Sequence, residues 1–171
     1  MNPEIFMDDF ERSNSGDLLF SSIGRALTIS TRFENNCKML ASIIGLKGKG
    51  FIERDKEFDD FIKKLFKNNL FQNIEKIFDK NDSSKNTLNK ARSARNEIVH
   101  ELTIGLANDI GNSDRIEIDE ICIRIKELIA IISRGDLMTS FLLSKVTNEF
   151  IPSIKFMKNY ENKIVEWVIE K

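Results

Sequence analysis

The sequence predicts an all-α fold, a bundle of about five to seven helices, and three observations support this. Only 8 of the 171 residues are Gly and only 2 are Pro, so few positions would interrupt a helix. Hydrophobic residues make up 41% and charged residues 31% of the chain, as in globular proteins. Apolar side chains recur mainly at helical spacing. Because the length suits one domain, we expect residues 1–171 to form a single helical domain.

The first third of the chain is predicted to contain a short helix and a long one. Residues 3–13 form the short helix, which residues 13–16 would end. Residues 17–44 follow the pattern of a helix that buries one face. The apolar positions that fit this spacing are Phe33, Cys37, Leu40, Ala41 and Ile44. The Gly- and Lys-rich residues 45–50 are expected to end this helix in a basic loop.

Two further helices are predicted before a polar loop. Residues 56–80 have helical spacing, with an interruption possible at residues 68–69, where two Asn follow each other. The next helix covers residues 84–106, after a stretch with turn and N-cap chemistry. Residues 108–114 are predicted to form a loop.

The last part of the chain is predicted to contain three helices. In residues 115–125 the apolar positions alternate as in a strand, but the charged residues between them favour a helix, and no second strand is available for pairing. We therefore predict a helix over residues 115–133, a break at Gly135, and helices over residues 136–150 and 152–170.

Charge and cysteine content exclude several classes of function. The net charge of −1 argues against a protein that coats nucleic acids, since such binding needs many contacts from Lys and Arg to phosphates. An enzyme with a small, locally basic cleft is still compatible with this net charge. Cys37 and Cys122 are far apart and the chain has one His, so we expect no zinc site and no cofactor.

The sequence gives no sign of export or membrane insertion. The first residues are acidic and do not resemble a signal peptide. The longest apolar run, residues 128–132, is too short to cross a bilayer. We therefore expect a cytoplasmic protein without a membrane partner, whose thiols stay reduced.

Arg95 has an unusual position on the helix predicted for residues 84–106. With about 100° per residue, five apolar side chains fall within about 60° of it. They are Leu88, Ala91, Ile98, Val99 and Leu102. A guanidinium keeps its proton in proteins, and burying it without a partner is costly. Its place in an apolar stripe therefore needs a structural or a functional reason.

A polar row lies beside Arg95 on the same helix. Arg92, Asn96 and His100 are spaced i, i+4 and i+8. His can accept and donate a proton near neutral pH, and Arg binds phosphate or a developing phosphorane well. This combination suits cleavage of a phosphodiester by the neighbouring 2′-hydroxyl.

The segment from Arg95 to His100 (Arg-Asn-Glu-Ile-Val-His) resembles the hallmark motif of the HEPN superfamily. That motif consists of an Arg, usually a polar residue such as Asn after it, three further residues, and then a His. It normally lies on a late helix of a helical bundle. The preceding Ala91 and Arg92 fit the same pattern. The similarity of helix layout extends over roughly residues 17–150.

This resemblance implies a metal-independent endoribonuclease, of a kind that often acts as a toxin of toxin–antitoxin pairs or as an abortive-infection effector against phage. It implies that His100 assists the attack of the 2′-hydroxyl, that Arg95 binds the scissile phosphate, and that Asn96 orients His100 or the phosphate. Family members are typically dimers, in which a two-fold axis brings two His and two Arg into one cleft. The partners implied are RNA, a second copy of the chain, and an antitoxin or another defence protein.

One position departs from a branch of that family. Where an antitoxin with nucleotidyltransferase activity modifies its toxin, a Tyr stands two residues after the His, and here that position is Leu102. The sequence therefore argues against a partner of that class.

Glu34 is a further candidate, as an acidic residue on the apolar face of residues 17–44. We expect it to pair with Arg95 or Arg92 and to hold the guanidinium for phosphate.

Other interpretations stay open at this point. Arg95 and His100 could stabilise the bundle of a structural adaptor, and a non-catalytic helical module could bind RNA or a protein partner. Arg92 could be a surface charge. The Phe-rich residues 58–78 are interpreted as core or dimer contact and not as a platform for stacking bases.

Overall fold

The computed structural model describes residues 14–49, 60, 63–64, 67–78, 82–102 and 115–169, and none of these lies in a strand. Its helices are α1 (Asn14–Lys49), α2 (Leu70–Ile77), α3 (Ser83–Asn96), α4 (Arg115–Thr147) and α5 (Ile154–Ile169). A π-helical segment, Glu97–Leu102, continues α3. The predicted all-α bundle of about five to seven helices is thereby confirmed.

Some predicted elements cannot be compared with the structure, because their residues are not among those that it describes. The helix over residues 3–13, most of the helical pattern in residues 56–66, and the loop over residues 108–114 lie outside the described residues. Within the described ranges, no helix combines the length and the apolar character that a membrane crossing needs.

Two helix ends that were predicted at glycines are wrong. Helix α1 continues through Gly45 to Lys49, and α4 runs without a break through Gly135. A Cβ atom at Gly135 would lie 2.6 Å from Ala91 Cβ and 3.0 Å from Phe33 Cε2. The absence of a side chain at Gly135 thus permits α1, α3 and α4 to approach closely.

The core lies between the two long helices. Helix α1 packs along α4, α3 packs on α4, and α2 and α5 lie against α1. The largest side chains with almost no exposure include Phe33, Leu40, Ile74, Leu88, Ile98 and Ile129. We refer to α3 and its π-helical continuation as the motif helix. Leu88 and Ile98 of this helix are buried in the core, and Arg95 lies between them along the chain.

Helices α2 and α3 begin with well-formed caps. Asn69 Oδ1 accepts from Gln72 N at 2.9 Å, while Gln72 Oε1 accepts from Asn69 N at 3.0 Å. The interruption predicted at residues 68–69 is therefore confirmed as an N-cap. Asp82 caps α3 by accepting from Ser84 N at 2.8 Å. These caps fix where both helices start.

Candidate functional site

Arg95, in the last turn of α3, contacts a carboxylate on α1. Its Nη2 lies 2.5 Å from Glu34 Oε2, and the two side chains are 20% and 21% exposed. Its Nη1 donates to Asn96 Oδ1 at 3.1 Å. The predicted ion pair between Glu34 and the motif helix is therefore present, and it involves Arg95.

His100 lies beside the same guanidinium. Its Nε2 is 3.4 Å from Arg95 Nη1, and its side chain is exposed to solvent. Because a guanidinium has donors and no acceptor, this contact is a hydrogen bond when Nε2 is the unprotonated ring nitrogen. An imidazole in that state can act as a general base.

The π-helical segment explains how Arg95 and His100 meet. In a regular α-helix, residues five apart point about 140° away from each other. In a π-helix the hydrogen bonds join residues five apart, so these residues turn toward a common face. His100 lies within Glu97–Leu102, and this places its ring next to the guanidinium.

The start of the π-helical segment is tied to α4. Glu97 forms a bidentate ion pair with Arg124, with Nε–Oε1 and Nη2–Oε2 distances of 2.6 and 2.9 Å. Glu127 adds a contact of 2.8 Å to the same guanidinium. The hydrogen bond with Glu97 is the main cause that raises the pKa of Arg124 above its ordinary value. Together with the buried Ile98, this pair anchors the segment that carries His100.

The charges around Arg95 favour an anion. Lys38 Nζ lies 3.5 Å from Glu34 Oε1, so one carboxylate stands between two permanent cations. Arg95 Nε is buried and has no hydrogen-bond partner among the residues that the structure describes. The guanidinium is thus held in place without all of its donors being used.

Arg92 does not take part in the pair with Glu34. Its Nε donates to Asn89 Oδ1 at 3.4 Å, and its guanidinium carbon lies 5.4 Å from the ring centroid of Phe71. Phe71 is 47% exposed and is therefore not part of the core of one copy, whereas the alternative that residues 58–78 include a dimer contact stays a prediction. The helical wheel of α2 could have shown this, because Leu70 and Ile74 take the core face and Phe71 follows Leu70 by about 100°.

The site lies outside the two grooves that the structure presents near α1 and α3. One groove runs between α3 and α4, past Asn89 and Arg124, and the other follows α1 past Arg32 and Asn35. Neither is lined by Arg95 or His100. In the described part of the chain, no three His, Cys, Asp or Glu residues are grouped as metal ligands would be.

Comparisons of the chain with protein-family models, with characterised proteins and with solved structures give no match. The geometry around Arg95 is therefore the main indication of function. That geometry brings together Arg95, Asn96, His100 and Glu34, and it places Arg92 one turn away on the same helix.

Proposed function

We propose that the chain is a metal-independent endoribonuclease that cleaves RNA through attack of the 2′-hydroxyl. The observation that supports this most directly is the 3.4 Å distance between Arg95 Nη1 and His100 Nε2. A cation that binds phosphate and a group that accepts a proton are thus close enough to act on one phosphodiester. The resemblance of residues 95–100 to the HEPN motif is the second support.

In the proposed reaction, the 2′-hydroxyl of the RNA replaces Arg95 Nη1 as the donor to His100 Nε2, which accepts its proton while the 2′-oxygen attacks phosphorus. The bond from phosphorus to the 5′-oxygen breaks, and that oxygen takes up a proton from a second imidazole or from water. The products are a 2′,3′-cyclic phosphate and a 5′-hydroxyl. Arg95 donates to the non-bridging oxygens, whose negative charge grows in the transition state. Glu34 holds the guanidinium, and Asn96 accepts from it.

A homodimer would complete this chemistry. The reaction benefits from a base and an acid, whereas the chain has a single His. A second copy facing the site across a two-fold axis would supply a second imidazole and would enclose the RNA. A cytoplasmic toxin or an anti-phage effector, restrained by an antitoxin or another defence protein, fits such an enzyme.

Cleavage of a labelled single-stranded RNA by the purified protein in the presence of a chelator tests this proposal. We expect products with 2′,3′-cyclic phosphate and 5′-hydroxyl ends, and resistance of an oligonucleotide with a 2′-deoxy sugar at the cut site. His100→Ala should lower the rate by about 10²- to 10⁴-fold, the usual contribution of general acid–base catalysis. Arg134→Ala, which removes an exposed cation that pairs with Glu161, is the control and should cleave normally.

Equal cleavage by the wild type and His100→Ala, with both folded by circular dichroism, would contradict the proposal. Absence of cleavage by both proteins would instead favour a second candidate, a non-catalytic helical module that binds RNA or a protein partner. One observation speaks for that candidate: Glu34 already contacts Arg95 at 2.5 Å, which leaves less of the guanidinium for phosphate. Binding of RNA without any cleavage by the wild type would identify it.

A further inference from the structure

Phe71 and Arg92 form a stacked pair that the proposed reaction does not use. The guanidinium carbon of Arg92 lies 5.4 Å from the centroid of the Phe71 ring, within the range of a cation–π contact. Nevertheless 47% of Phe71 stays exposed. We refer to Phe71 and Arg92 as the stacking pair.

The stacking pair is held rigidly by its two helices. Phe71 lies within the capping box that Asn69 and Gln72 form at the start of α2. Lys85 of α3 pairs with Glu75 of α2 at 2.8 Å, and the Lys85 side chain is only 12% exposed. These contacts fix α2 against α3, so the ring and the guanidinium are positioned before any ligand arrives.

The stacking pair is also a neighbour of the proposed cleavage site. Arg92 precedes Arg95 by three residues in α3, a separation that puts their Cβ atoms about 5–6 Å apart on one side of a helix. Lys38 and Arg95 both pair with Glu34, so with Arg92 this area holds three cations and one carboxylate. Such a local positive charge suits a polyanion, although the chain as a whole is slightly acidic.

We propose that the stacking pair binds a nucleobase of single-stranded RNA, beside the phosphate that Arg95 and His100 handle. This inference rests on the proposed ribonuclease function and specifies that the RNA substrate is single-stranded. A base in a duplex has both faces covered by its neighbours, whereas an unpaired base can stack on an aromatic ring or on a guanidinium. The site therefore selects loops and single strands, with little preference for base identity because every base has a π-face.

The combination of groups favours RNA over a protein partner at this place. A cation–π contact that only joined α2 to α3 would not require nearly half of the ring to remain exposed. A second copy of this chain would have to bring a complementary apolar or acidic surface against cations. An RNA strand offers aromatic faces and phosphates together, which matches a ring, a stacked guanidinium and the adjacent Arg95.

Binding of a single-stranded oligoribonucleotide that contains 2-aminopurine tests the inference, since stacking quenches the fluorescence of this base. The host protein is His100→Ala, which leaves the RNA uncut. We expect quenching with this protein, and we expect Phe71→Ala in the same background to abolish the quenching and to weaken binding roughly five-fold to one hundred-fold. Phe71→Tyr should retain both properties, whereas Phe71→Leu, which preserves apolar bulk, should behave like Phe71→Ala.

Phe20→Ala is the matched control, because Phe20 is 49% exposed and lies in α1, 14 residues and therefore about 21 Å before Glu34. It should bind and quench normally. Unchanged binding by Phe71→Ala, together with RNA cleavage by the wild type, would overturn the stacking pair and leave the ribonuclease proposal intact. Quenching that depends on Phe71, in a wild type that cuts no RNA, would refute cleavage and support the pair.

Two further results would overturn the stacking pair. If Phe71→Ala converts a dimer into a monomer in light scattering, Phe71 is a contact between copies. If neither the wild type nor His100→Ala binds the oligonucleotide, neither the pair nor the ribonuclease site takes RNA.

Discussion

Two carboxylates lie within the bundle, and their surroundings differ. Asp136 in α4 is fully buried, accepts from the hydroxyl of Tyr160 and from Asn36 Nδ2 at 2.9 Å, and lies 3.4 Å from Arg32 Nε. Glu34 in α1 is 21% exposed and is shared between Arg95 and Lys38. Both clusters include residues of α1. Arg32 and Asn36, which contact Asp136, lie on one side of that helix, and Glu34 lies on the other.

The difference between the two clusters indicates different roles. Around Asp136, partners from α1 and α5 surround the carboxylate and leave it no access to solvent. Around Glu34, the side chains of Arg95 and Glu34 are 20% and 21% exposed, and the neighbouring His100 is exposed. A closed cluster contributes to stability, whereas an open one can receive a ligand.

The largest effect on stability is expected from Asp136→Ala. The substitution leaves the buried Tyr160 hydroxyl without its acceptor and opens a cavity, so we expect the free energy of unfolding to fall by about 2–4 kcal/mol. Urea denaturation followed by circular dichroism measures it. Asp119→Ala, at an exposed position of the same helix, should change stability by less than about 0.5 kcal/mol. Equal stabilities of the two variants would contradict the closed-cluster assignment.

Glu34→Gln is expected to have a smaller effect on stability and to act mainly on RNA cleavage. The ion pair with Arg95 is partly exposed, so its loss should cost at most about 1 kcal/mol of stability. Because the carboxylate positions the guanidinium, RNA cleavage should fall roughly 10- to 100-fold. Glu161→Gln breaks the comparable ion pair with Arg134 elsewhere in the bundle and should leave cleavage unchanged. If Glu34→Gln alters neither stability nor cleavage, Glu34 does not support the site.

Local periodicity was sufficient to predict the helices and the unusual place of Arg95. The 3.6-residue repeat depends only on neighbours in sequence. For residues 115–125, whose apolar positions alternate, the helix was correctly predicted from the charged residues between them and from the lack of a pairing strand. The cost of burying a guanidinium led directly to the expectation of a carboxylate partner on α1, and Glu34 is that partner.

The close approach at Gly135 and the contact between Arg95 and His100 could not be predicted in the same way. A Gly that ends a helix looks the same in sequence as Gly135, whose role depends on Ala91 and Phe33 from two other helices. The α-helical wheel placed His100 about 140° away from Arg95, because it assumed regular geometry through Glu97–Leu102. The π-helical geometry there changes which side chains meet.

The smallest expected effect concerns how the free energy of unfolding varies with pH. It shows whether burial or the hydrogen bonds of Asp136 have the larger influence on the pKa of this carboxyl group. Burial raises the pKa of Asp136 above the ordinary value of 3.8, against the lowering effects of Tyr160, Arg32 and Asn36. Between the ordinary value and the raised one, the native state therefore binds more protons than the unfolded state. Its contribution to stability is full below pH 3.8 and decreases as the pH rises toward the raised pKa.

Asp136→Asn keeps the size of the side chain and removes this titration. We expect the stability of the wild type relative to Asp136→Asn to fall as the pH is raised upward from about 4, measured by urea denaturation at several pH values. Glu161 provides the opposite sign, because its hydrogen bond with Arg134 lowers its pKa, so the stability it contributes is lost as the pH falls. If the difference between wild type and Asp136→Asn instead rises with pH, the hydrogen bonds to Asp136 outweigh its burial, and the closed cluster stabilises the charged carboxylate.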